Sequence, residues 1–277
     1  MINGENFGWE VSNDKVLTKA EIKALSRNRL FHYTSFRTLK RIIKNKEILF
    51  NQISRVNDGK EAKLFNNSEV SKLVFVSCFT YLNTESIPMW YIYGKNNKQR
   101  NGNDTVRIEF KFKTTDIISS FIDECRASKN STDKNIIWWK SIRSGIHPKI
   151  EWYYHIKTSD VVYRIQEIEK HPIKNNEIYS LSSMGRIKRK EWQYEKETRL
   201  ILVMRTLNSN ISVPNIDYFL VPIKFCNLEM ITVTFNPWME SGLKEKIKHF
   251  FSTVKEFQRL GIQTKFYDSI LTGELPQ

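Results

Sequence analysis

Hydrophobic and polar positions change period several times along these 277 residues, and each change marks an element. Leu30, Phe31 and Tyr33 give Arg29–Ser35 the look of a short strand ending in hydroxyl residues. Thr34 or Ser35 can cap the next segment, because a side-chain oxygen there accepts from the free N–H groups of a first helical turn. Phe36, Leu39, Ile42 and Ile43 then recur at helical spacing, which predicts an amphipathic helix over Phe36–Lys46. Ile48–Phe50 and Leu73–Phe79 read as strands; between them Asn57-Asp58-Gly59 is a turn and Glu61 starts a polar helix. Pro88 suits the first turn of a helix over Pro88–Tyr93. Thr105–Lys113 alternates strictly, with Val106, Ile108, Phe110 and Phe112 opposite Arg107, Glu109 and Lys111, as a half-exposed antiparallel strand would. A helix is expected around Ile117–Arg126, and strands at Val161–Ile165, Arg199–Met204, Tyr218–Ile223 and Met230–Phe235. Leu243, Ile247, Phe250, Phe251, Val254 and Phe257 mark one long amphipathic helix, with a closing strand at Thr264–Tyr267. Without regular βαβ alternation the class is α+β. With no Pro/Gly/Ser linker and no repeat, residues 29–277 read as one domain. Residues 1–28 form a polar lead-in with a short helix at Thr18–Leu25, and residues 113–160 an insertion.

Composition narrows the setting. No apolar run approaches 18 residues, so no membrane span is expected, and the first residues lack the pattern of a signal peptide. Three widely separated cysteines, Cys78, Cys125 and Cys226, fit a reducing cytoplasm rather than a disulfide framework. No Cys/His cluster has zinc spacing, so no metal site is expected. Lysine and arginine outnumber aspartate and glutamate 44 to 30, a net charge of +14 that predicts attraction to polyanions. The same excess also fits general solubility in a chain rich in Lys, Asn and Ile. Locally, Arg186, Lys188, Arg189 and Lys190 form a basic strip, and Ile136–Tyr154 interleaves Trp138 and Trp139 with cations. Aromatics among cations suit single-stranded nucleic acid, whose bases stack while its phosphates meet the charges. A buried aromatic core with surface lysines fits that stretch equally.

The chemistry centres on Lys190–Val203. Glu195 and Glu197 stand one residue apart at the start of an apolar run, so an extended chain would point both to one face and Lys196 to the other. Two acids on one face repel, which raises one carboxyl's affinity for a proton and suits it to proton or cation chemistry. A solvated strand end, with both acids paired to Lys190, Lys196 or Arg199, has the same spacing.

Five pieces occur in a particular order: FHYTS (Phe31–Ser35), NDGKE (Asn57–Glu61), VSCF (Val76–Phe79), MWYIY (Met89–Tyr93) and WQYEKETR (Trp192–Arg199). Spanning residues 29–205, they resemble a widespread bacterial domain family of unknown function, whose pattern is in turn similar to the ADP-ribosyltransferase fold, a split β-sandwich with flanking helices. The resemblance implies NAD as substrate. It makes Glu197 the carboxylate that stabilises charge on the ribose, and Glu195 the first member of an E-x-E pair that activates an acceptor. It further implies that His32, as a neutral imidazole, bonds the adenosine ribose, and that Thr34 and Ser35 meet the nicotinamide amide or a phosphate. Tyr91 or Tyr93 would stack on the nicotinamide, Ser77 and Thr80 would brace the site, and Arg199 would pair with Glu195 or reach a phosphate. Tyr33 follows His32 where familiar members of the fold carry a glycine soon after the histidine, which alters how the backbone would approach NAD.

Charge and resemblance together predict an ADP-ribosyltransferase toxin acting on nucleic acid, RNA favoured, or on a protein bound to it. The setting implied is bacterial toxin–antitoxin or phage defence, with an antitoxin as a further partner. A nucleic-acid-binding module without catalysis, an NAD glycohydrolase and a ribonuclease are the competing readings. The binding module needs no NAD, and its affinity falls steeply with salt.

Overall fold

A strand running straight into a helix sets the frame. In the computed structural model, which describes residues 14–58, 61, 71–95, 104–121, 124–128, 137–140, 152–164, 185–206 and 216–275, helix α1 (Asp14–Leu25) precedes strand β1 (Arg29–Ser35). Helix α2 (Phe36–Asn45) begins at once because Ser35 is extended (φ −71°, ψ 151°) and its Oγ accepts from Thr38 N at 3.2 Å. Lys46 in the left-handed region (φ 56°) ends α2 and turns the chain into β2 (Glu47–Gln52). Strand β3 (Val74–Thr80) is next, then a one-turn helix α3 (Ile87–Trp90) with Pro88 in its first turn, then a π-type turn over Tyr91–Lys95.

Three expectations change. Strand β4 (Thr105–Phe112) is buried on both faces, with Arg107 and Glu109 only 6% and 8% exposed. It lies between β1 and β12 (Leu228–Phe235), and both polar side chains have partners: Arg107 donates to Leu82 O and covers the Phe31 ring, and Arg29 pairs with Glu109. The helix expected around Ile117–Arg126 is a 3-10 turn, Ile117–Ser120, followed by β5 (Glu124–Ser128). Asp116 caps that turn, and Phe121 then extends to bridge Ile223. The long C-terminal helix is two, α4 (Ser241–Ser252) and α5 (Lys255–Leu260). Thr253 Oγ1 donates to Phe250 O at the break, and Phe251 and Phe257 are buried on either side of it.

Strands β6 (Ile137–Lys140), β7 (Trp152–Asp160), β10 (Glu197–Thr206), β11 (Tyr218–Pro222) and β13 (Gln263–Tyr267) complete a sheet of eleven strands among the described residues. Its order is β13-β12-β4-β1-β3-β2-β11-β5-β6, with β10 on the other edge of β3 and β7 beyond it. Residues 113–160, expected as an insertion, thus supply three of its strands, and β7 pairs with β10 from Asp160↔Thr198 to Trp152↔Thr206. From the lead-in, α1 packs on β7 through buried Ala20 and Ala24. A separate parallel pair joins β8 (Val162–Arg164) to β9 (Ile187–Arg189). The main core lies on one sheet face, where Leu39, Phe75, Phe110, Leu202, Ile247 and Phe251 are buried together. Among the described residues no helix is long and apolar enough to cross a membrane.

Strand β3 is the hub. Along one edge Phe75 and Val76 pair with β2, and Thr80 pairs with Phe31 of β1. Between those contacts β1 and β2 diverge, so Ser77, Cys78 and Phe79 meet no strand on that edge among the described residues. The sheet is split there, and a cleft opens at the split.

Candidate functional site

The wall of the cleft is built by a tight turn. Lys190–Glu195 is a 3-10 helix, Lys196 adopts the left-handed region (φ 44°, ψ 56°), and β10 starts at Glu197. The Lys196 carbonyl accepts from Tyr81 N at 3.0 Å and from Thr80 Oγ1 at 3.2 Å, which holds this unfavourable conformation in place. Glu195 and Glu197 therefore do not share a face by strand alternation, as the spacing implied. The turn at Lys196 brings them together instead.

They meet inside a buried ionic cluster. Lys188 Nζ, from β9, lies 2.5 Å from Glu195 Oε2, 3.3 Å from Glu197 Oε1 and 3.7 Å from Glu61 Oε1, with the Trp192 ring 4.6 Å away. Arg199, fully buried, donates from Nε to Glu197 at 2.8 Å, grips Glu61 with both terminal nitrogens at 2.6 and 2.9 Å, and donates to Gly185 O. Tyr163 Oη accepts from Glu197 N at 2.8 Å. Tyr93 Oη donates to Glu195 at 3.3 Å and accepts from Asn57 Nδ2 at 2.7 Å. Three carboxylates thus face two cations, one negative charge in excess, and a proton on any of them balances the set.

The two key acids divide that burden. Burial, and next the charge of Glu197, push the Glu195 carboxyl up to about 7. Burial would raise Glu197 as well, but Arg199 and then Lys188 outweigh it and hold that carboxyl below the ordinary range. The same carboxylates, Glu197 first, keep Lys188 and Arg199 firmly protonated although burial opposes it. Glu197 is thus the permanent carboxylate and Glu195 the titrating one.

The cleft has a volume of about 680 Å³, and its lining includes Glu197, Lys188, Tyr93, Asn57, His32, Tyr33 and Ser77. That size suits a nucleotide-like ligand. His32 sits on β1, donating from Nδ1 to Cys78 O at 2.9 Å across the split; burial lowers its pKa to about 4 and keeps it neutral. Ser77 and Tyr93 line the cleft as expected, and the remaining expected residues are elsewhere or otherwise engaged. Tyr33 Oη accepts from Ser86 N, with its ring edge-on to Trp90. Thr34 is buried, Ser35 caps α2, and Tyr91 packs edge-to-face against Trp238; none of the three lines the cleft. Arg199 lies behind Glu197, outside the cleft lining, and pairs with Glu197 and Glu61 rather than Glu195.

The expected basic strip is largely internal. Arg186 is buried against Glu21, Arg189 holds Asp58 through two bonds of 2.9 and 3.0 Å, and Lys188 is locked in the cluster, leaving Lys190 exposed. Half-buried Glu21 and buried Asp58 claim the two arginines, and Glu195 is the nearest partner of Lys188. Trp138 and Trp139 lie on β6, and their side chains are outside the described residues. Sequence reasoning missed Glu61 and the role of Lys188 in the cluster. The signal for Glu61 was its place in NDGKE, which a turn and helix start explained equally well.

No family model matches the chain, so its resemblance to a catalogued bacterial domain gains nothing there, and no curated protein matches it. Similar solved structures include DarT of Thermus sp. 2.9 in complex with NAD+, at a TM-score of 0.35 and 10% identity, covering 86% of this chain and 94% of that one. DarT of the same organism in complex with ADP-ribosylated ssDNA gives a TM-score of 0.35 at 9% identity, covering 89% and 95%. Its complex with carba-NAD+ gives 0.32 at 8% identity, covering 86% and 95%. At such scores the likeness carries no weight by itself.

Proposed function

We propose that this chain is an ADP-ribosyltransferase that takes NAD as substrate and modifies nucleic acid, RNA first among the candidates. The observation that carries the reading is an ionised Glu197, fixed by Arg199 and Lys188 on the wall of a nucleotide-sized cleft, with the titrating Glu195 beside it. As the nicotinamide–ribose bond breaks, positive charge develops on the ribose, as in glycoside hydrolysis. A carboxylate held ionised at that carbon stabilises the charge without reorganising. Nicotinamide leaves with the bonding electrons, the acceptor's oxygen or nitrogen bonds to the ribose carbon, and the acceptor's proton passes to Glu195. A carboxyl near 7 is suited to that exchange, because a general base works best when its pKa is close to the operating pH. Neutral His32 at the split offers a hydrogen-bonding edge to a ribose without repelling the cationic nicotinamide ring.

The acceptor is inferred from charge. Although most of the basic strip is internal, the chain carries +14, and Arg41 and Arg55 line the cleft. A toxin–antitoxin or phage-defence setting rests on the family resemblance alone.

The test is transfer of label from adenine-labelled NAD to total RNA, single-stranded DNA and cell lysate, with Glu197→Gln in parallel. Label in nucleic acid with the wild type and not the variant supports the reading. Free nicotinamide without labelled macromolecule makes the protein a glycohydrolase, and no NAD turnover refutes the proposal.

A further inference from the structure

Glu195 is fully buried and absent from the cleft wall, so a base placed there needs a path to the acceptor. Tyr93 supplies the missing link: it lines the cleft, and its hydroxyl is 3.3 Å from Glu195 Oε1. Asn57 fixes the direction of that hydroxyl, because Asn57 Nδ2 donates to Tyr93 Oη at 2.7 Å and the Tyr93 proton is then aimed at the carboxylate, the stronger acceptor. Building on the transferase reading, we propose that the Tyr93 hydroxyl is a catalytic proton relay between the acceptor in the cleft and Glu195, oriented by Asn57. In one turnover the acceptor's proton moves to Tyr93 Oη while the Tyr93 proton moves to Glu195. The ribose–acceptor bond forms as the ribose–nicotinamide bond breaks, and neutral nicotinamide departs. Glu195 returns its proton to solvent by the same route. No tyrosinate is required, which matters because burial pushes the phenol of Tyr93 far above its ordinary range.

This role differs from stacking on nicotinamide, and Tyr93→Phe separates the two. The ring survives and only the hydroxyl is lost, so kcat for transfer to nucleic acid should fall by about 10²-fold or more. KM for NAD should change by less than about threefold, about half of one decade in binding. Asn57→Ala, which keeps the hydroxyl but frees its rotation, should lower transfer by about tenfold, the scale of a misdirected proton. Thermal unfolding of each variant shows whether it is folded. Transfer by folded Tyr93→Phe at the wild-type rate overturns the relay while leaving the transferase reading intact. A rise in KM for NAD with transfer and hydrolysis falling together also overturns it, in favour of a binding role. A wild type that neither transfers nor hydrolyses NAD removes the transferase reading, and the relay falls with it.

Discussion

Replacing Glu195 by Gln should make stability rise with pH where the wild type's stays nearly level. Glu195 is buried, and its carboxyl is moved from 4.5 to about 7. Between those limits the native state keeps a proton that the unfolded chain has lost, so the contribution is whole at low pH and disappears as pH climbs toward 7. The displacement is worth about 3 kcal/mol. His32 acts with the opposite sign: burial moves it from 6.5 to about 4, so its contribution is present above 6.5 and is lost as pH falls toward 4. Its size is at most similar, because the ring is only half-buried. The two windows nearly coincide, and their slopes offset each other in the wild type. Glu195→Gln removes one slope and leaves the cluster neutral, with Glu61 and Glu197 facing Lys188 and Arg199. The remaining His32 slope should then raise stability by about 2 kcal/mol from pH 5 to pH 7 relative to the wild type. His32→Gln should do the reverse. Urea unfolding followed by tryptophan fluorescence across this range reads both, and a Glu195→Gln curve parallel to the wild type's refutes the reasoning.

Further expectations concern the cluster and the strip around it. Glu197→Gln should lower transfer by about 10²–10⁴-fold with little change in thermal midpoint, measured by labelled NAD and calorimetry. Arg199→Met leaves two buried carboxylates short of a cation and should destabilise by about 3–5 kcal/mol in urea titrations. Arg189→Ala should weaken the fold and leave the salt dependence of RNA binding unchanged, whereas Lys190→Ala should reduce that slope by about one. Gly185→Ala sets a Cβ 3.0 Å from Val76 Cγ1 at φ +74°, so a loss of about 1–2 kcal/mol should appear in the urea midpoint.

Elements whose signal is local were legible in the sequence. The junction of β1 and α2 is set by Ser35, and β3 and β10 come from apolar runs longer than any surface strand needs. Ile117, Ile118 and Phe121 misled because one helical turn and a 3-10 turn entering a strand bury the same positions. Alternation in β4 reported polarity and not exposure: Arg107 and Glu109 are polar and still buried, because Leu82 O and Arg29 reach them.

The site shows the same division. That Glu195 and Glu197 would lie together was legible from their spacing, but the means was not, since a left-handed lysine leaves no mark in composition. The partners of Arg186, Lys188 and Arg189 were further out of reach. Glu21 and Asp58 claim Arg186 and Arg189 from distant positions, Lys188 is held first by Glu195 and Glu197 and then by Glu61, and nothing in RIKRK states where those carboxylates will fold. A run of cations in a sequence records supply alone. Whether it faces a polyanion or the interior depends on acids elsewhere, and here the acids that draw Lys188 inward include Glu195 and Glu197, the pair on which the proposed chemistry rests.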